Sequence, residues 1–400
     1  MIVQTTASSA RSPEQQAGTP FNILAPLFFY FVGAGVATVM LGPLLPSLIE
    51  RWHIQDAQAG VLFTVLFAGQ LIGSWVASKN LRASVIFGAA ITACSSLAML
   101  WTGFRVAHFA LFGVGLGLGA GLTAGNVIAG TAVSSGRARI LAVLNVGWSL
   151  GAITCPALVR IFGVRSFFFA VAVILALAAM IGTRLPKQER APVPTASSTM
   201  PLPPLPLLAF ALALLLYVGI ENALGGWLPS YAVRHTALLL ASSVSFYYWM
   251  AELIGRSLMA LVVRRLGEAT LYRASLVLLI ASLSALIFSP HLSARGIVAF
   301  TLLCGLAIAP LYPLIVSFLL ARTGSHPRLG PLFSMASLGG ATLPWLTGVV
   351  STQFYGLRAG LAVPAIGTVL LFVTSGYIAS RSSPMTNAIR KSRVGSARLL

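Results

Sequence analysis

In this 400-residue chain 57% of residues are hydrophobic and only 8% charged, and the mean hydropathy is +0.90, which excludes an ordinary soluble globular protein. The formal net charge of +19 raises nucleic acid as a partner, but the basic residues sit in short segments between long apolar runs, the pattern of a lipid-embedded chain. Cys94, Cys155 and Cys304 all fall inside apolar runs, so no disulfide framework is implied.

Residues 1–20 are polar and lack the basic-then-apolar order of a cleaved signal, and read as a cytoplasmic tail. Residues 21–183 hold six apolar stretches of roughly the 20 residues a helix needs to cross a bilayer, centred near Val32, Phe67, Ala93, Leu118, Trp148 and Ala172. Residues 184–206, RLPKQERAPVPTASSTMPLPPLP, are charged and then rich in Pro and Ser, and read as a cytoplasmic linker. Six further stretches follow in residues 207–380, centred near Tyr217, Met250, Leu279, Ala307, Leu338 and Leu370, before a basic cytoplasmic tail over 381–400. Backbone polar groups in lipid must be satisfied within the spanning segment, and runs this long do so as helices. With the N-terminus inside, eighteen basic residues fall in inside segments and seven in outer loops, with Arg256 left within a span. That bias predicts an inner-membrane protein with both termini cytoplasmic. The tail IRKSRVGSARLL reads as a topology signal touching anionic lipid.

The two halves echo each other. SLGAITCP (149–156) matches SLGGATLP (337–344) at an offset of 188, GQLIGS (69–74) matches AELIGR (251–256) at 182, and GPLLPSLIER (42–51) matches GGWLPSYAVR (225–234) at 183. Six spans per copy make the repeat parallel, with a solute site expected near the midplane between the halves. The segments YVGIENALGGWLPSY, NVGWSLGAITCP, IGRSLMALVVRRLG, APLYPLI and SLGGATLPWLTG resemble the fucose-permease-like branch of the major facilitator superfamily. The resemblance implies an all-α membrane protein of twelve transmembrane helices in two six-helix halves. It also implies uptake of a monosaccharide or related polyol coupled to protons. The loop GSWVASKNLRAS (73–84) departs from the superfamily pattern, with Ala77 at its acidic position, whereas the second half keeps Gly255, Arg256, Arg264, Arg265 and Gly267 for a lopsided gate. The branch also carries carboxylates in its first and fourth spans, where this chain has none.

Seven acidic residues can be taken one by one. Glu14 and Glu189 are expected to be cytoplasmic, Glu50 and Asp56 in the first outer loop and Glu268 in a cytoplasmic loop, which leaves Glu221 and Glu252 in spans. A carboxylate at membrane depth costs about 2.5–3.5 kcal/mol on insertion scales, and desolvation favours the neutral acid, the property a proton carrier needs. Glu221, with no basic residue within ten positions, is the leading proton or solute-hydroxyl partner; interhelical glue is the competing role. Glu252 has Arg256 one turn away and either pairs with it structurally or carries the proton.

A sugar asks for amides and hydroxyls for its own hydroxyls and ring faces for its C–H edges. Gln70, Asn126, Asn145 and Asn222 supply the first, Trp148, Trp227, Tyr248 and Tyr312 the second. Asn145 and Trp148, three apart, share a helical face and form the expected contact of the first half. Of Tyr247, Tyr248 and Trp249, at least one must point away from any cavity. GVGLGLGAGLTAG (113–125) is read as helix packing rather than a phosphate loop, and Pro156 and Pro344 as kinks that let the halves rock. No metal site, nucleophile triad or nucleotide loop is found, so neither an enzyme nor a cofactor is expected. The sequence reading is a monomeric, proton-coupled carrier of a small polar solute, with a multidrug or metabolite efflux antiporter as the alternative.

Overall fold

The computed structural model describes residues 20–77, 80–101, 103–132, 137–186, 204–289, 291–323, 329–354 and 356–379. The expected N-terminal tail, most of the linker and the basic C-terminal tail lie outside these residues. Fourteen helices account for nearly all of them, and there is no strand among the described residues. The first half holds α1 (Pro20–Val39), α2 (Leu41–Trp52), α3 (Asp56–Val76), α4 (Leu81–Ala98), α5 (Phe104–Thr131) and α6 (Arg137–Gly182). The second holds α7 (Pro204–His235), α8 (Ala241–Leu266), α9 (Glu268–Phe288), α10 (Ala294–Ile308), α11 (Leu311–Thr323), α12 (Leu329–Gln353), α13 (Leu357–Gly360) and α14 (Ala362–Ile378).

Helix labels and spans differ for identifiable reasons. Pro43 has no N–H to give the carbonyl of Val39, and α1 gives way to α2 at Met40. Ala309 keeps helical dihedrals (φ −52°, ψ −48°), but Pro310 has no N–H to give the carbonyl of Leu306, and α10 gives way to α11 there. Within α6 the backbone leaves the helical region at Gly163, whose φ of 68° is open to glycine, so α6 is two helices joined at a turn. The helix runs on through Pro156 and Pro344. Among the described residues nine segments are long and apolar enough to cross a membrane, against the twelve expected. One of the nine, Ile140–Gly182, contains both helices of α6. The helices outside the nine include α8, which carries Glu252, Arg256, Arg264 and Arg265, and α12, which is rich in Gly, Ser and Thr.

The sequence repeat corresponds to a repeated packing. In the first half α6 lies on α1, and a Cβ added to Gly151 would stand 2.0 Å from the carbonyl oxygen of Val32. In the second, α12 lies on α7 in the same way, with a Cβ on Gly339 falling 1.8 Å from the oxygen of Leu215. Only glycine lets the two backbones approach so closely, which is why the Ser-Leu-Gly segment appears twice. The glycine run in α5 packs likewise against α3 and α4.

Between the halves, α3 packs along α12, and α2 meets α7 where the matched segments GPLLPSLIER and GGWLPSYAVR touch: a Cβ on Gly42 would lie 2.3 Å from the oxygen of Gly225. Thr64 Oγ1 donates to Ala341 O (2.7 Å), and the backbone N–H of Ala57 donates to Thr352 Oγ1 (2.9 Å). These contacts bring the halves together from the Asp56 end of the bundle to its middle. Asp56 is therefore not a loop residue as expected: it opens α3 and is buried. Glu268 likewise opens α9 rather than lying in a loop, and accepts from Ser317 Oγ at 3.1 Å.

Candidate functional site: a buried ionic cluster between the halves

Helices α7 and α8 run side by side, and at mid-length each turns one carboxylate toward the other. Glu221 and Glu252 are both buried, and Arg256, one turn beyond Glu252 on α8, reaches back to both. Its Nη2 lies 3.0 Å from Oε1 of Glu221 and closer still to Oε1 of Glu252. Glu221, which has no basic neighbour in sequence, thus takes its counter-charge from a residue 35 positions away on the next helix.

The two carboxylates are not held alike. Tyr217, four residues before Glu221 and fully buried, donates its hydroxyl to Oε1 of Glu221, and the same hydroxyl accepts from Arg256 Nη2 at 3.3 Å. Tyr312 of α11 packs beside the Tyr217 ring, centroid to centroid 5.4 Å. The hydroxyl of Tyr248 donates to the main-chain oxygen of Glu221 at 3.2 Å. Glu252 Oε1 sits against the guanidinium yet receives no hydrogen bond of acceptable angle. Nη2 has two N–H groups and faces three oxygens, so one acceptor is left without a straight donor.

The cluster is joined to the first half through α6. The Trp148 ring faces the guanidinium, with Arg256 Cζ 5.8 Å from its centroid, and Trp148 meets Trp249 of α8 edge-on at 5.8 Å. Arg256 Nη1 makes a long contact of 3.5 Å to Ser149 Oγ. Asn145 lies one turn from these two residues, on their face of α6 and toward the end of the bundle where the linker begins, and it is exposed. Its amide donates to the carbonyl of Leu141 at 3.0 Å, which leaves its oxygen for another partner.

The other expected contacts are distributed differently. Asn126 is exposed and donates to Leu122 O at 3.0 Å; Asn222 is half-buried and donates to Val218 O at 2.8 Å. Gln70 is half-buried on α3, beside Gly119 of α5. Trp227 is fully buried, its indole N–H committed to Pro344 O at 2.8 Å and its ring beside Phe63, so it fastens α7 to α12 and offers no free surface. Tyr248 is also fully buried, while Tyr247 is half-buried. Arg264 and Arg265 are exposed at the end of α8, away from the cluster.

A second ionic group, not anticipated from the sequence, lies at the opposite end of the bundle from the linker. Arg234, near the end of α7, grips Asp56 of α3 with two nitrogens at 2.6 and 2.7 Å, and Ser351 of α12 donates to the same carboxylate at 2.6 Å. Next to it Arg358 Nε contacts His235 Nε2 at 3.1 Å, and the His235 ring stacks on Tyr231. Asp56, Arg234, His235, Ser351 and Arg358 border a cleft of about 870 Å³, separate from the Glu221 cluster.

Comparison with known proteins agrees with this architecture. The family model described as Major Facilitator Superfamily matches residues 27–329. The glucose/mannose transporter GlcP of Bacillus subtilis is 23% identical over 354 residues, covering 80% of this chain and 86% of that protein. Bypass of stop codon protein 6 of Saccharomyces cerevisiae is 23% identical over 375 residues, with 80% of this chain and 75% of that protein covered. Among solved structures, FucP in its outward conformation aligns over 92% of this chain and all of its own (100%), with a TM-score of 0.63 at 20% identity. A POT family transporter bound to 5-aminolevulinic acid aligns with a TM-score of 0.70 at 13% identity, over 89% of this chain and 96% of its own. Helical architecture, repeated packing and the family match together establish that this chain is an integral membrane transporter belonging to the Major Facilitator Superfamily.

Proposed function

We propose that this transporter carries a small polar solute, a monosaccharide in the first instance, across the cytoplasmic membrane by alternating access coupled to protons. The observation that carries the proposal is the convergence of two buried carboxylates on one guanidinium, where α7 and α8 meet α6 at mid-length. Fully ionised, the cluster bears two negative charges against one positive. Removing such an excess charge from water is costly, and binding one proton relieves it. A proton bound there is felt by both halves, because Arg256 also touches Trp148 and Ser149 across the interface.

The sugar part of the reading draws on the relative GlcP and on the surface beside the cluster. The exposed Asn145 and half-buried Trp148 offer an amide oxygen and a ring edge on one face of α6, with Gln70 and Asn126 as further polar contacts. Residues 21–183 and 207–380 would move as the two bodies of a monomer, with both termini cytoplasmic. The paired Asp56 and Arg234 would then close the outer end. The test is counterflow of a radiolabelled monosaccharide panel in proteoliposomes. Saturable exchange of at least one hexose, competed by its unlabelled form, is expected. Failure to exchange any sugar, with exchange of a non-carbohydrate solute in the same vesicles, would overturn the substrate class.

A further inference from the structure

We infer that the two carboxylates hold a single exchangeable proton between them, that it resides on Glu252 rather than Glu221, and that one proton therefore accompanies each solute. This rests on the proton-coupled reading above and assigns its site and stoichiometry.

The argument is a count of donors. Glu221 receives the Tyr217 hydroxyl and an Arg256 N–H, two donors that satisfy its Oε1 as an acceptor. Glu252 lies close to the guanidinium but has no donor aligned on Oε1. A protonated Glu252 supplies its own O–H, and the charges then balance as one guanidinium against one carboxylate. The titratable groups that face Glu252 are Arg256 and Tyr248 of α8 and Glu221 and Tyr217 of α7; Cys304 of α10 lies beyond Tyr248, and Tyr312 of α11 faces Glu221 and Arg256. Arg256 is the single cation among them. Two acids contacting the same nitrogen cannot both ionise without leaving a net buried charge, so the balanced cluster holds one proton and is destabilised each time that proton is released.

In the transport step the proton leaves Glu252 for water on the side of lower proton activity, and Arg256 is then left facing two anions. Reprotonation from the other side restores balance. No bond other than O–H forms or breaks. Glu252→Gln is isosteric with the protonated state; Glu221→Gln removes the anion that balances Arg256 when Glu252 is neutral.

The experiment uses purified full-length protein in proteoliposomes, with an exchangeable monosaccharide found by counterflow as the probe. Glu252→Gln is expected to keep solute exchange within about threefold of wild type and to lose proton-driven accumulation. Glu221→Gln is expected to lose at least tenfold in exchange as well. The opposite pattern, or equal retention of exchange by both variants, would overturn the assignment to Glu252. Because either variant can lose its fold, the wild-type proton-to-solute ratio is measured independently from the membrane potential and pH gradient at which net flux reverses. A ratio of one is expected, and a ratio of two overturns the shared proton. Wild-type exchange with no response to a pH gradient would instead remove the coupled reading on which this rests.

Discussion

The two ionic groups of this transporter use the same chemistry to opposite ends. At the Asp56 end one arginine meets one carboxylate through two nitrogens, Ser351 fills a further acceptor site, and the group is electrically balanced. At mid-length one arginine meets two carboxylates, one oxygen lacks an aligned donor, and the group carries an excess negative charge unless a proton is bound. A balanced, saturated pair gains nothing from a further ion and serves as a fastening between α3, α7 and α12. In the proposed function, a proton completes the unbalanced pair, and charge count and donor count are what distinguish it from the fastening.

The largest effect expected from that contrast is at Arg256. Arg256→Ala leaves two buried acids without a counter-charge, and should cost about 3–5 kcal/mol of stability or abolish transport, as breaking a buried pair does. Adding Glu252→Ala should recover part of the loss, which thermal unfolding in detergent and solute uptake would both register. Simple additivity of the two changes would show that the residues do not interact.

A smaller effect is expected at the fastening, because Arg234 keeps 39% of its side chain exposed and can be rehydrated. Asp56→Asn should loosen the Asp56 end without altering solute affinity at mid-length. A thiol probe on Ser351→Cys would label faster in that background. An unchanged labelling rate would deny the pair a gating role.

The smallest effect is expected on the α6 face. Asn145→Ala should weaken binding of one sugar by a factor corresponding to about 0.5–1.5 kcal/mol, the net worth of one hydrogen bond made by a side chain that is exposed in the free protein. Trp148→Ala should weaken several sugars together, since an apolar ring edge reads the shape of a sugar more than its individual hydroxyls. Binding titrations on folded variants check both, and unchanged affinity for every ligand would remove this face from the site.

Much of this was legible in residues near one another in sequence. Glu252 and Arg256 meet because they are one helical turn apart, and the repeated Ser-Leu-Gly segments announced two equivalent helix contacts. The partner of Glu221 was hidden because it depends on how α7 lies against α8, which local spacing does not encode. The Tyr217 hydroxyl could have been found, since it lies four residues before Glu221 on the same helix. Asp56 was misplaced because a short run between apolar stretches reads as loop, although a capping arrangement with Gln55 and Gln58 starts α3 there. Trp227 shows the converse failure: an aromatic at membrane depth suits a sugar equally well as it suits a helix contact, and only its bond to Pro344 O separates the two.

The most direct test of the unbalanced cluster as a proton site is to record lumenal pH with a trapped dye while a transported monosaccharide is added outside proteoliposomes. Solute-dependent acidification of the lumen is expected for the wild type, with none for Glu252→Gln although that variant still exchanges solute. Solute accumulation by the wild type with no change in lumenal pH would contradict it.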